Sequence, residues 1–199
     1  MSKKYELTSE TQEENGETLY RIKALRDFGD VKAGDLGGWV ESESNLDHVG
    51  DCWVSGDAEV SGDARVFDNA QVYGNARVFG DARVFGDAWL SGYARVFNNA
   101  QVYGDARVFG DAEVSGDARV FGDARVYKKS HIITFSGFGS LARTTTAFKT
   151  EASFHISCGC FKGTLEEFRA AISETHGDNK FGREYKLIAY LIELHFSEE

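Results

Sequence analysis

The sequence predicts a mainly β protein: a parallel β-helix of hexapeptide repeats over residues 51–127, an N-terminal β cap over 1–50 and a small C-terminal α+β domain over 128–199. Three observations carry that reading. A six-residue period runs through the middle of the chain, each unit alternates with period two, and the composition has 22 glycines and no proline among 199 residues. Biased composition with a fixed period signals repeats.

From Val54 an aliphatic residue returns at every sixth position, as Val60, Val66, Val72, Val78, Val84, Leu90, Val96, Val102, Val108, Val114, Val120 and Val126. Two residues before each stands a small one, Cys52 first and then alanine from Ala58 to Ala124. The unit is Ala-x-Val-x-Gly-Asp. Alternation turns Ala and Val to one side and both x residues to the other, so each unit reads as a short strand. The Gly-Asp or Asn-Asn pair tolerates positive φ and makes the corner. Three sides close a turn of about 18 residues, and coils stack at roughly 4.8 Å. The thirteen units then give about four coils.

This pattern resembles the hexapeptide-repeat signature of left-handed β-helix proteins, and the left hand is implied by that resemblance. The general crossover rule alone would argue for the right. The stretch from Asp27 to Val40 is similar to the caps of uncharacterised enterobacterial and prophage-encoded hexapeptide-repeat proteins. The stretches Ser157-Cys158-Gly159-Cys160-Phe161-Lys162-Gly163-Thr164-Leu165 and Thr175-His176-Gly177-Asp178-Asn179 resemble C-terminal modules of phage and prophage proteins.

Side chains one coil apart share a face. One face carries the column Phe67, Phe85, Tyr103 and Phe121 beside Arg65, Arg83, Gln101 and Arg119. Another carries Ser61, Phe79, Phe97 and Ser115 beside Glu59, Arg77, Arg95 and Glu113. The remaining one carries Ser55, Tyr73, Ser91, Phe109 and Tyr127 beside Trp53, Gln71, Trp89, Arg107 and Arg125. Outward aromatic columns with arginines match the residue types enriched in interface cores. The first column, Phe67, Phe85, Tyr103 and Phe121 with Arg65, Arg83 and Arg119, is therefore the candidate interface. Either a sister chain or a target protein would cover it. Mutual support by ring stacking and cation–π contact is the plainer alternative. Since hexapeptide β-helix proteins are commonly trimers, the resemblance implies a homotrimer.

In the flanks, residues 19–25 read as a strand and Trp39 as a plug for the end of the valine column. Residues 131–135 and 152–161 read as strands. Thr164-Leu165-Glu166-Glu167 is a capping box opening a helix that stops at His176-Gly177. A second helix over 183–196 places Tyr185, Ile188, Leu191, Ile192 and His195 on one side.

Charge and composition exclude several classes of function. The net charge of −10 divides as −5, −5 and 0 over residues 1–50, 51–126 and 127–199, so no segment offers the cationic surface that nucleic-acid binding needs. Three cysteines make no disulfide framework, and there is no signal-like or membrane-spanning apolar run. A cytoplasmic location, that of the host if the gene is phage-encoded, and no membrane partner are expected. Acyltransferases of this fold place a histidine base at the coil edge, with loops interrupting the coils. Here the coils hold no histidine and no insertion, the five histidines being His48, His131, His155, His176 and His195. No catalytic residue and no cofactor are expected. Cys158, Cys160, His176 and Asp178 form a secondary candidate site, either with Cys158, His176 and Asp178 as a nucleophile–base–orienter set or with Cys158, Cys160, His155 and His176 as zinc ligands. Cys-x-Cys is nevertheless the wrong spacer for structural zinc, and no metal is expected. The expected function is a non-catalytic binding scaffold of phage or prophage type that blocks a host protein, with a possible anti-defence role. The alternatives are an acyltransferase-like enzyme and an acidic DNA mimic.

Overall fold

The computed structural model describes residues 3–197, and its centre is a three-sided parallel β-solenoid of about five turns. Each unit contributes a short rung, and rungs one coil apart pair in parallel, as Gln71 and Val72 do with Trp89 and Leu90. One face stacks the rungs Trp53–Val54, Gln71–Val72, Trp89–Leu90, Arg107–Val108 and Arg125–Val126. The second stacks Arg65–Val66, Arg83–Val84, Gln101–Val102 and Arg119–Val120. The third stacks Glu59–Val60, Arg77–Val78, Arg95–Val96 and Glu113–Val114.

Each coil hands its donors to the next. The Arg83 N–H donates to Ala100 O at 2.9 Å and the Phe85 N–H to Val102 O at 3.0 Å, and the same pair of bonds recurs up every face. Alanine and valine of every unit are fully buried, and each valine withdrawn from water contributes roughly 1.5 kcal/mol. The glycine of each corner sits at positive φ, and where Asp68 and Asn98 replace it they adopt the same conformation at 58° and 59°. Corner amides add ladders of their own, with Asn69 Nδ2 donating to Asp87 and Asn99 Nδ2 to Asp117, both at 3.0 Å.

The solenoid starts one turn earlier than the period suggests. Strands β1 (Tyr5–Glu14) and β2 (Glu17–Ala24) form a hairpin that runs antiparallel into β3 (Leu36–Val40), and β3 is the first rung of the third face. Val40 pairs with Val60 and Leu46 with Val66, an offset longer than in the regular coils, because the corner between Leu46 and Val54 carries extra chain. At the preceding corner, the turn Glu43–Asn45, the Asn45 N–H turns back to Ser42 O, and its side chain donates to the next coil instead, giving 2.9 Å bonds to both Gly62 O and Ala64 O. Trp39 does not plug the valine column as expected. It precedes the inward Val40 and so faces outward, where Arg21 stacks on it at 5.0 Å. Tyr5, Ile22 and Phe28 join the core cluster at that end instead. The buried Lys4 ammonium fastens β1 there by donating to Cys52 O at 2.8 Å.

The C-terminal domain is a four-stranded antiparallel sheet, β4 (Ile132–Phe138), β5 (Arg143–Lys149), β6 (Phe154–Cys158) and β7 (Phe161–Gly163), covered by two helices. Helix α1 (Leu165–His176) starts at the anticipated capping box, in which the Thr164 N–H donates to Glu167 Oε2 at 2.8 Å, and it stops at Gly177. Helix α2 (Lys180–Phe196) begins ahead of the anticipated position because Asn179 caps it, accepting from the Gly182 N–H at 2.9 Å. Phe148 of β5 enters the solenoid's own core cluster and closes its upper end.

Corner geometry yields a paired prediction. A Cβ on Gly86 would lie 2.9 Å from the Gly104 nitrogen, whereas one on Gly116, at nearly the same φ, would meet nothing within 4 Å. Gly116→Ala should cost about 1 kcal/mol, from backbone strain alone. Gly86→Ala should cost about 1–3 kcal/mol more, from collision between coils, and urea denaturation of the two variants measures the difference.

Candidate binding interface

The three faces meet different fates. On the second face Phe67, Phe85 and Tyr103 stack nearly parallel, with centroids 4.8 Å apart at each step, and Phe121 continues the column at 5.5 Å. The rings cover one another and all four are half-buried. The upper half of the column is occupied from within the chain. Lys162 stands 5.0 Å over Tyr103 and 4.7 Å over Phe121, and Phe148 meets Phe121 edge-on at 5.1 Å. Arg119 takes part in the same junction, its guanidinium donating to Gly159 O at 3.3 Å. Of the anticipated interface residues, Tyr103, Phe121 and Arg119 thus dock the C-terminal domain, while Arg65, on the Phe67 ring at 5.7 Å, and Arg83 stay exposed.

On the third face the lower rungs sit against the β1–β2 hairpin, with Arg77 held by Glu14 at 2.6 Å and Glu59 at 3.1 Å. Burial raises the Glu59 carboxyl above its ordinary range, against the pull of Arg77. Higher up, Phe79 and Phe97 stack at 4.9 Å under Arg95.

The first face is the open one. Trp53 at its base is buried against Phe28, but above it Tyr73, Trp89 and Tyr127 are all exposed, Trp89 at 46%. Trp89 meets Tyr73 edge-on at 6.0 Å and carries Arg107 at 5.6 Å, and Phe109 stacks on Tyr127 at 5.1 Å. Ser91 lies between Tyr73 and Phe109 in the coil register. Tyr93, at the adjoining corner, is 70% exposed. Sequence reasoning sorted Tyr73, Trp89, Arg107 and Tyr127 onto one face without singling it out, and it missed Tyr93, although a signal existed. Tyr93 is the only departure from Asp or Asn at the second corner position from Asp57 to Asp123.

The secondary candidate site is only partly assembled. Cys158 and His176 line one cavity of about 220 Å³, with Arg143, Phe161, Phe168 and Tyr185. Cys160 and Asp178 are elsewhere, Cys160 exposed beside Arg119 and Asp178 paired with Lys186 at 2.6 Å. Within the cavity Tyr185 is the neighbour of both groups. Its hydroxyl is 3.8 Å from the Cys158 sulfur and its ring stacks on His176 at 5.6 Å. Burial, and then the contact with Cys158, push the Tyr185 phenol up to about 12, so it stays protonated and is no base for Cys158. No hydrogen bond joins Cys158 to His176 among the described residues, and no group of three or more His, Cys, Asp or Glu there has the geometry to hold a metal ion. Among the same residues no helix is long and apolar enough to cross a membrane.

Stacked six-residue units around a valine core, with corner glycines at positive φ, define a β-solenoid repeat protein. A family model described as YdcK Beta solenoid repeat matches residues 70–86, 76–96 and 100–116, all within the central coils. No curated protein matches the chain.

The two ends of the second-face column should respond differently to truncation. Phe121→Ala removes a stack and the seat of Lys162 and Phe148, and should cost about 3 kcal/mol. Phe67→Ala removes one exposed-edge stack and should cost about 1 kcal/mol. Chemical denaturation followed by circular dichroism reads both.

Proposed function

We propose that this β-solenoid protein is a non-catalytic scaffold that binds another protein through its open first face. The observation that carries the reading is the exposed set Tyr73, Trp89, Tyr93 and Tyr127, with Arg107 stacked on Trp89, on a rigid hydrogen-bonded surface. Rigid aromatics lose little entropy on binding, and Trp, Tyr and Arg dominate interface hot spots. The lower Phe67–Phe85 part of the neighbouring column extends the same surface around one edge.

The resemblance to prophage-encoded proteins makes a host protein the expected partner and blockade the expected effect. An anti-defence role and the host cytoplasm follow from the same resemblance. A symmetrical trimer packed on the Phe67 column is a weaker reading, because Lys162 and Phe148 already occupy the upper rings. Catalysis is disfavoured by the thiols. Burial pushes Cys52 up, and Cys158 has a protonated phenol beside it.

Affinity capture from an enterobacterial lysate tests the proposal, with the wild type and a Tyr73→Ala/Trp89→Ala variant as baits. A protein retained by the wild type, lost by at least tenfold with the variant and kept by an Arg143→Ala control supports it. Equal capture by all three baits, or micromolar heat in an acetyl-CoA titration, overturns it.

A further inference from the structure

Helix α2 is apolar on two opposite sides. Tyr185, Ile188, Ala189, Ile192 and Phe196 face the sheet and α1 and are buried. The sequence reading placed Leu191 with that group, yet Leu191 is 45% exposed. It belongs to a second stripe, Leu187, Tyr190, Leu191 and Leu194, at spacing i, i+3, i+4, i+7. The other three are 65%, 57% and 50% exposed. No element of the described chain covers this stripe, and it lies on the side of α2 opposite the core.

We infer that this stripe is the interface for a second copy of the chain, with the two α2 helices packed antiparallel across a twofold axis near Tyr190 and Leu191. Three features favour a copy of itself. The stripe has the i, i+3, i+4, i+7 spacing that packs helix on helix, and a twofold axis at its middle sets Leu187 of one chain against Leu194 of the other. Charge along the helix is uneven as well. Lys180, Arg183 and Lys186 outnumber Glu184 in its first half, and Glu193 stands near its end. About that axis antiparallel pairing sets Glu193 of one chain within a helical turn of Lys186 of the other, whereas parallel pairing sets each charge against its own copy. The in-chain pairs of Lys186 with Asp178 and of Glu193 with Arg169 remain solvent-facing at the rim.

Area sets the strength. Four large side chains exposed by about half present roughly 400 Å² of apolar surface, as much as a soluble monomer normally leaves bare in one patch. Doubled across the axis and widened by the charged rim it reaches about 1,000 Å², the lower end for a specific interface. The association is therefore reversible and concentration-dependent. It uses a surface distinct from the open face of the solenoid, so a dimer would display two such faces.

Sedimentation equilibrium of the full chain between about 5 and 200 µM tests the inference. The expected result is a shift from the 22.0 kDa monomer to twice that mass. Leu187→Glu/Leu194→Glu, with its circular dichroism spectrum unchanged, should weaken dimerisation at least 100-fold, and Tyr73→Ala/Trp89→Ala should leave it intact. If the double glutamate variant fails to fold, Tyr190→Arg at the axis takes its place, with at least a tenfold weakening expected. A wild type that stays monomeric at 200 µM, assembles as a trimer, or dimerises undiminished in the folded stripe variants overturns the proposal.

Discussion

The hydrogen-bond register between coils is the constraint on which everything else depends. The backbone N–H of the first residue in each rung donates to the carbonyl of the alanine just before the rung above, as Arg83 does to Ala100, and that bond fixes the length of the coil. Because the coil is a whole number of six-residue units and an even number of residues, the register also sorts the side chains. Alanine and valine always turn inward, and every outward residue finds the same position of the next coil directly above it. The Phe67 to Phe121 column, the corner Asn–Asp ladders and the stacked glycines all follow from one periodic bond.

That regularity makes the deviations informative. The first turn is longer than the others by the extra chain between Leu46 and Val54, and at the corner before it the Asn45 side chain makes the inter-coil bonds that its own N–H, turned to Ser42 O, does not. At the far end the repeat gives way to Phe148, which enters the solenoid's core, and Lys162, which lies on its aromatic column. Both ends are thus closed by chain segments, the usual protection of exposed strand edges. Among the apolar surfaces left open are the first face and the outer ridge of α2, and these are the two proposed for binding.

Much of the architecture was legible because it is periodic. The inward positions from Val54 to Val126, the corners and the α1 cap all carry local signals that survive folding. The hairpin strand β1 and strand β5 were not legible. One is mostly polar, the other has the threonine run Thr144-Thr145-Thr146, and both are held by pairing with neighbours, β2 for the one and β4 and β6 for the other, that carry the local pattern they lack. The candidate interface was half legible. Sorting by the coil period placed every outward ring on its face, but exposure depends on what the flanking domains cover. That is a tertiary fact, and it turned Tyr103 and Phe121 into internal contacts while leaving Trp89 bare. The cluster of Cys158, Cys160, His176 and Asp178 was legible only as proximity in sequence. Folding separates Cys160 and Asp178 from the cavity because they stand on turns outside it.

Native-state hydrogen exchange resolved by residue tests the central account most directly. If the inter-coil register holds the molecule together, the amides of Arg83, Trp89, Arg95, Gln101 and Arg107, each donating to the coil above, will be among the slowest to exchange and will open together. Exchange of these amides at independent rates, or as fast as those of the C-terminal helices, would contradict it.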